Sequence, residues 1–169
     1  MNDRTEILAN TSVTIRLAGA SDLAAVSALM NQQNRYHADL VPHIVKRVNP
    51  AESEIWCAGI LSDPAYKIFL AESGGDEAVG LLMLHDKRYE ESVPLHGVEL
   101  AFVDELFVVA AARRMGVARK LVEKGRCYAK EQGFAALSLN VWGANDLAVE
   151  AYKALGFETV YHRMALPAD

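Results

Sequence analysis

The sequence predicts a layered domain of the α/β or α+β class, with helices packed on a mixed sheet. Alternating, β-branched segments predict strands, and apolar stripes at helical spacing predict helices. Their order along the chain is β-α-α-β-β-β-α-β-α-β. The 169 residues are 51% hydrophobic and 23% charged, which is typical of a soluble globular protein. We therefore expect one domain spanning residues 1–169.

The first elements are a strand and a helix. Alternation in Ser12–Leu17 predicts the strand. Ser21-Asp22 is a suitable cap for the helix that follows, because both side chains can accept hydrogen bonds from its first turn. Residues 31–48 begin as helix and should be interrupted near Pro42, since proline lacks an amide N–H.

A second helix and a hairpin come next. Residues 49–52 combine an asparagine cap, a proline and a glutamate, which predicts a helix start, and residues 63–64 should end that helix. Residues 66–73 and 77–87 read as strands joined by a glycine-rich turn over residues 74–76, which indicates a hairpin.

The second half alternates strands with helices. Residues 99–109 predict a long strand that contains acidic residues, and residues 136–142 predict another. Apolar positions at helical spacing predict helices over residues 117–133 and 145–155. Residues 157–166 predict a closing strand, and its exposed edge would allow a homodimer, although a monomer is equally allowed.

Charge and cysteine usage exclude several classes of protein. The net charge of −5, from 17 basic and 22 acidic residues, argues against a dedicated nucleic-acid binder. Cys57 and Cys127 have neither disulfide nor zinc spacing, so we expect packed thiols, and the histidines suggest no metal site. The first residues lack a signal-peptide core, and no apolar run reaches membrane-spanning length. The expected location is the cytoplasm.

The stretch RRMGVARK, residues 113–120, has the features of an anion cradle. A strand leads into it and a helix begins at about Gly116, so unpaired backbone N–H groups lie at the positive end of the helix dipole. Gly116 and Ala118 are small enough for an anion to approach, and Arg113, Arg114 and Arg119 could add charged hydrogen bonds. A solvated basic face and a nucleic-acid patch are the competing interpretations.

Two spacings resemble one known family. Arg113-x-x-Gly116-x-Ala118 resembles the Gln/Arg-x-x-Gly-x-Gly/Ala motif of the GCN5-related N-acetyltransferase (GNAT) superfamily. A second signature of that family, Asn-x-x-Ala-x-x-x-Tyr-x-x-x-Gly-Phe, is matched by Asn145, Ala148, Tyr152, Gly156 and Phe157. The resemblance covers residues 98–166 most closely, and it extends to residues 12–30.

The resemblance implies a GNAT-type fold, a mostly antiparallel twisted sheet flanked by helices, with splayed parallel strands forming the acetyl-CoA cleft. Acetyl-CoA would be a co-substrate, its pyrophosphate held by the loop and its pantetheine paired with the strand. The residues implied in binding it are Leu106, Phe107, Val108, Arg113, Arg114, Met115, Gly116, Val117, Ala118, Arg119, Asn140, Asn145, Ala148 and Tyr152.

The resemblance also implies an enzyme that transfers acetyl to a primary amine by direct attack. Tyr152 matches the position of the general acid that protonates the leaving thiolate. Glu105, with Asp104 close behind, is the candidate base, and backbone N–H groups near Phe107 and Val108 could hold the oxyanion. Adjacent strand residues face opposite sides unless a bulge intervenes, so we expect one acid in the cleft. A strand-edge role for both acids remains an alternative.

The acceptor is not identified by the sequence. The acidic pair, which resembles that of spermidine/spermine acetyltransferases, favours a small cationic amine, and a peptide amine is also compatible. A non-catalytic acyl-CoA-binding or sensing module on the same fold is the alternative function. We expect neither nucleic acid nor membrane as a partner.

Overall fold

The computed structural model describes residues 12–74, 76–166 and 168 of the chain. Within these residues five strands form one sheet in the order β1-β2-β3-β4-β5. The first three pairings are antiparallel and the pairing of β4 with β5 is parallel. The strand bounds are Thr14–Leu17 for β1, Tyr66–Ser73 for β2, Glu77–Tyr89 for β3, Val98–Val108 for β4 and Ala136–Leu139 for β5.

Four α-helices accompany the sheet in the described residues. Their bounds are Leu23–Leu40 for α1, Pro50–Ser62 for α2, Val117–Gln132 for α3 and Asp146–Ala154 for α4. The α2 start is the predicted one, because the Asn49 side chain accepts a hydrogen bond from the Ala51 N–H and proline occupies the first turn. The interruption predicted near Pro42 is also confirmed, since α1 ends at Leu40.

The helices cover both faces of the sheet. The first buried cluster packs α3 residues such as Leu121 against Leu82 and Val103 of the sheet. The second packs Val26 and Leu29 of α1 against the opposite face. The protein is therefore a three-layer structure, and α1 and α3 lie on opposite sides of β4.

The parallel strands β4 and β5 pair over only part of their length. Leu100 to Val103 of β4 pair with Ala136 to Leu139 of β5. Beyond Val103, among the described residues, β4 pairs only with β3. The outer backbone edge of β4 over residues 104–108 is consequently free of a strand neighbour, which is the splay that the sequence resemblance implies.

The predicted closing strand is wrong. Residues 157–166 form no strand, and Val160, Met164 and Leu166 are largely exposed. Alternation of apolar residues indicates a strand only if a partner edge lies within reach, and here the segment pairs with no described strand. The homodimer expected through it remains a prediction.

Smaller differences concern element ends and one thiol. The strand predicted over residues 136–142 stops at Leu139, and β3 continues through Tyr89, beyond its predicted end at residue 87. Cys57 is fully buried as expected, whereas Cys127 is exposed on α3. The turn between β2 and β3 is the predicted one, although Gly75 within it lies outside the described residues, as does the N-terminal segment. No helix among the described residues is long and apolar enough to span a bilayer.

Candidate active site

Glu105 and Asp104 lie on the same face of the sheet, because a bulge separates them. Glu105 pairs with Met83, but the next pair is Val103 with Leu84, so Asp104 is an extra residue on β4. Glu105 shares the face of Met83, which packs against α1. The expectation of a single inward acid applies to a regular strand, and the bulge is the exception.

Asp104 is held by a histidine of the neighbouring strand. Its carboxylate contacts Nδ1 of His85, which lies two residues from Met83 and therefore on the same face of β3. The His85 ring also packs between the rings of Tyr66, at 5.7 Å, and Phe102, at 5.3 Å. Asp104 is thus oriented toward the α1 side of the sheet.

Glu105 is a partly buried carboxyl group with a shifted acidity. Its pKa is raised from 4.5 to about 7, first by burial and then by the negative charge of Asp104. A hydrogen bond from the side-chain amide of Gln33 on α1 acts in the opposite direction. A group with this pKa is half ionised near neutral pH, so it can both accept and release a proton there.

Tyr152, on helix α4, lies within electrostatic range of this carboxyl group. The charge of Glu105, after burial, is the second cause that raises the pKa of Tyr152 to about 12. The phenol therefore stays protonated across the physiological range. The negative charge of Glu105 therefore acts on the phenol of Tyr152.

The matched signature residues explain how Tyr152 is positioned. The Asn145 side chain caps α4 by accepting a hydrogen bond from the Ala148 N–H at 3.2 Å. At the other end Gly156, with φ of 94°, lets the Phe157 N–H return to the Tyr152 carbonyl at 3.0 Å. The Phe157 ring then packs edge-on against the Tyr152 ring, with centroids 5.6 Å apart.

Two side chains of α1 complete the site and were not identified from the sequence. Gln33, only 4% exposed, donates to Glu105, and the Tyr36 hydroxyl donates to Asn145 Oδ1 at 3.0 Å. A signal existed, because Gln33 follows Val26, Leu29 and Met30 at helical spacing and so lies on the buried stripe. A polar residue on such a stripe needs a buried partner.

The loop before α3 has the backbone geometry expected of an anion cradle. Gly116 caps α3 with φ of 79°, and Arg114 also has a positive φ, of 64°. The first helical hydrogen bond runs from the Lys120 N–H to the Gly116 carbonyl, so the N–H groups of residues 117–119 precede the helical ladder. A Cβ on Gly116 would meet no described atom within 4 Å, so the space above it is open.

The arginines of this loop have different environments. Arg113 Nε donates to the Val108 carbonyl at 3.1 Å, and its guanidinium lies 6.0 Å from the centre of the Tyr36 ring. Arg114 and Arg119 are exposed. Lys120 donates to the Val13 carbonyl at 2.9 Å, which ties α3 to the start of the sheet. Arg113 therefore connects the loop to the free edge of β4.

A notch lies between β4 and β5, beside the free edge of β4 over residues 104–108. The remaining residues implied in cofactor binding lie around this notch. Phe107 is buried against α1, and Leu106 packs on the α3 side. Met115 packs partly against the same cluster as Leu106, Val117 is buried in it, and Ala118 is half-buried. Asn140 is exposed just beyond β5. Among the described residues no group of three or more histidine, cysteine, aspartate or glutamate side chains is placed to hold a metal ion.

Relatives of known structure share this architecture. A mutant of the BH1408 protein from Bacillus halodurans superposes with a TM-score of 0.82 at 20% identity, covering 91% of this chain and 98% of that one. The aminoglycoside N-acetyltransferase AAC(6')-Iy in complex with CoA superposes with a TM-score of 0.74 at 19% identity, covering 94% and 95%. At these identities the likeness concerns the fold.

Sequence comparison points the same way. The chain is 26% identical over 160 residues to the uncharacterized N-acetyltransferase YhfO of Bacillus subtilis (strain 168), covering 92% of this chain and 99% of that protein. The model of the acetyltransferase (GNAT) family matches residues 27–157, which include both acids, the loop and Tyr152. The chain belongs to the GNAT family of acetyltransferases.

Proposed function

We propose that this protein transfers the acetyl group of acetyl-CoA to a primary amine, by direct attack, in the notch between β4 and β5. The observation that carries the proposal is the juxtaposition of Glu105, with a pKa of about 7, and Tyr152, with a pKa of about 12. One group can accept a proton at neutral pH and the other can donate one. Amide synthesis from an ammonium ion and a thioester needs both.

Glu105 is the general base of this proposal. A primary amine has a pKa near 10, so only about 0.1% of it is neutral at pH 7. A partly buried carboxylate beside Asp104 accepts the proton that the ammonium must lose before its nitrogen can attack. Its pKa near 7 makes it a stronger base than an exposed glutamate while it remains substantially ionised at pH 7.

Tyr152 is the general acid. The departing thiolate has a pKa near 8.5, and the phenol of Tyr152 stays protonated at neutral pH, so it can donate a hydrogen bond, and with it a proton, to the developing thiolate. The capped helix α4 and the Phe157 ring hold the phenol in one place. Binding of the thioester in the notch would then bring the leaving sulfur close to the Tyr152 hydroxyl.

Acetyl-CoA, when bound, supplies the thioester that the amine attacks. The free edge of β4 over residues 106–108 offers backbone groups to the pantetheine amides, as an added strand would. The N–H groups at the start of α3 and the exposed Arg114 and Arg119 suit the pyrophosphate. Arg113, which bonds to Val108, would hold the loop at the correct distance from that edge.

The acceptor in this proposal is a small cationic amine. Two carboxylates, Asp104 and Glu105, lie on the same face and attract a positive charge. The structurally similar aminoglycoside N-acetyltransferase is consistent with an amine acceptor, although its identity to this chain is 19%.

A turnover assay tests the proposal. Thiol release from acetyl-CoA should be measured with polyamines, aminoglycosides, amino acids and peptides as acceptors. Tyr152→Phe should lower kcat by about 10²-fold or more, whereas the matched control Tyr89→Phe, at a 43% exposed tyrosine, should leave it unchanged.

Two other results would contradict parts of the proposal. Tight acetyl-CoA binding without turnover on any amine would favour the alternative function, a non-catalytic acyl-CoA sensor. Equal activity of Tyr152→Phe and the wild type would remove the general acid from the mechanism.

A further inference from the structure

Gln33 is the most deeply buried polar side chain next to the reacting groups. It is 4% exposed, and its Nε2 donates to Glu105 Oε2. Its carbonyl oxygen Oε1 is buried and, among the described residues, has no hydrogen-bond partner. A buried acceptor without a partner costs about 1–3 kcal/mol, so its presence in the site calls for a physical explanation.

Among the described residues, no hydrogen bond to the carbonyl holds the Gln33 amide in one orientation. An amide held at both ends has one orientation, but the Gln33 amide is fixed by Glu105 alone. The terminal torsion of glutamine is broad and roughly two-fold, so a half-turn exchanges the N–H₂ group for the carbonyl at little cost. An ionised carboxylate can only accept hydrogen bonds, so it takes the N–H₂ group, whereas a protonated carboxyl group can also donate its O–H to the amide carbonyl.

We propose that Gln33 is a positioning residue that keeps Glu105 aimed at the acceptor amine in both protonation states. When Glu105 is ionised, Gln33 Nε2 donates to it. After Glu105 has accepted the proton of the amine, either its carbonyl oxygen still accepts from Gln33 Nε2 or its O–H donates to the turned Gln33 carbonyl, so the contact persists. Gln33 gains and loses no proton itself. The role rests on the proposed function, because Glu105 is the base there.

The surroundings of Glu105 leave this role to Gln33. Asp104 is engaged by His85, and the nearby phenol of Tyr152 stays protonated. Among the described residues, the titratable side chains linked to Glu105 or to its neighbours are Asp104 on β4, Tyr152 on α4, His85 on β3, which contacts Asp104, and Tyr36 on α1, which donates to Asn145. His37 lies one helical turn beyond Gln33 on α1. His37 is partly buried, and burial lowers its pKa.

The test replaces Gln33 by methionine, which has similar length and no hydrogen-bonding amide. The matched control is Gln32→Met, because Gln32 is the exposed neighbour whose amide reaches only the Ala28 carbonyl, at 3.4 Å. Glu105 would be titrated by carbon-13 NMR of labelled glutamate, with Glu105→Gln to assign its signal. The pH dependence of kcat/KM would be measured alongside.

Loss of the amide should raise the midpoint of Glu105 by about one pH unit, because its hydrogen bond to the ionised carboxylate is stronger than its hydrogen bond to the neutral carboxyl group. The acid limb of kcat/KM should move equally, so that kcat/KM falls about tenfold at pH 6 and by less than about twofold at pH 9. Gln32→Met should change neither. An unshifted midpoint in folded Gln33→Met would overturn the proposal.

The two readouts separate this proposal from the proposed function. If no amine is acetylated, the titration of Glu105 still reports on Gln33. If Gln33→Met does not fold, the side-chain amide signals of Gln33 in the wild type should titrate with the Glu105 midpoint and lose that transition in Glu105→Gln. Gln33 side-chain amide signals that did not change between pH 5 and 9 would likewise contradict the hydrogen bond between Gln33 and Glu105.

Discussion

The Tyr36 hydroxyl donates a hydrogen bond to Asn145 Oδ1 at 3.0 Å, across 109 residues of sequence. The same oxygen accepts the Ala148 N–H and so caps α4. One amide oxygen therefore joins α1 to the helix that carries Tyr152. Because α1 also carries Gln33, the candidate base and the candidate acid are positioned by elements that are bonded to each other.

Removing the Tyr36 hydroxyl should weaken this connection. Tyr36→Phe is expected to lower the free energy of unfolding by about 1 kcal/mol, and Asn145→Ala by about 1–2 kcal/mol through loss of the cap. The double variant should lose less than the sum, because both changes remove the same bond. Urea unfolding measures this, and strictly additive losses would show that the bond contributes nothing.

Neutralising Glu105 should stabilise the protein at alkaline pH. Because the folded pKa of about 7 lies above the ordinary 4.5, the unfolded chain ionises first, and stability falls as pH rises between these values. The loss in free energy of unfolding over this pH range is on the order of 3 kcal/mol. Glu105→Gln should therefore unfold at higher temperature than the wild type at pH 8 and at a similar temperature at pH 4.

The same variant should acetylate amines about 10²-fold more slowly or worse. Its control is Glu131→Gln, at an exposed position on α3, which should follow the wild-type melting curve at both pH values. A melting difference between Glu105→Gln and the wild type that did not change with pH would contradict the partly buried, shifted carboxyl group.

The two glycines that flank α3 allow a matched test of the anion cradle. Gly116 and Gly133 have φ of 79° and 78°, and a Cβ on either would meet no described atom within 4 Å. Glutamate at either position should cost about 1–2 kcal/mol of backbone strain. Only Gly116→Glu should also weaken CoA binding, by about tenfold or more, because its charge would face the pyrophosphate. Calorimetric titration with CoA distinguishes the two.

Arg16 should contribute to the pH dependence of the protein's stability in acid. It donates to Asp22 at 2.7 and 2.8 Å and to Glu72 at 2.5 and 3.0 Å. The pKa of Asp22 is lowered to about 2, first by the bond from Arg16 and then by that from the Gly19 N–H. The stabilisation is therefore present above pH 4 and lost as pH falls toward 2. Unfolding of Arg16→Met between pH 2 and 5 should show a shallower dependence on pH.

The control for that experiment is Arg47→Met. Arg47 pairs with Asp39 at 2.5 Å, but both side chains are more than 60% exposed. Such a pair is expected to change stability by no more than about 0.5 kcal/mol. Equal acid profiles for the two variants would show that the hydrogen bonds from Arg16 to Asp22 do not contribute to acid stability.

Periodicity and caps predicted the fold well where the information is local. The Asn49-Pro50 start of α2, the stripe of α3 and the Gly156 end of α4 depend on residues within one or two turns. The GNAT-type splayed sheet was expected from the family signatures and is confirmed. Tyr152 and Glu105 were expected to share a site, and that expectation remains a prediction, supported by the effect of the Glu105 charge on the pKa of Tyr152.

What the sequence could not predict depends on distant partners. The bulge at Asp104 is defined by the register between β3 and β4, and the role of Gln33 depends on which strand α1 covers. The segment 157–166 has a strand pattern but no described partner edge. In each case the local pattern fits several structures, and tertiary packing selects one.

The free edge of β4 leaves part of an interior strand as open to solvent as an edge strand. Amide hydrogens in a central strand usually exchange last, because both neighbouring strands protect them. Here residues 104–108 have a strand on one side only, within the described part of the chain. Their outward amides should exchange with solvent early, ahead of those in β2, and binding of acetyl-CoA along that edge should reverse the order. Hydrogen exchange of residues 104–108 would thus report whether acetyl-CoA is bound in the notch.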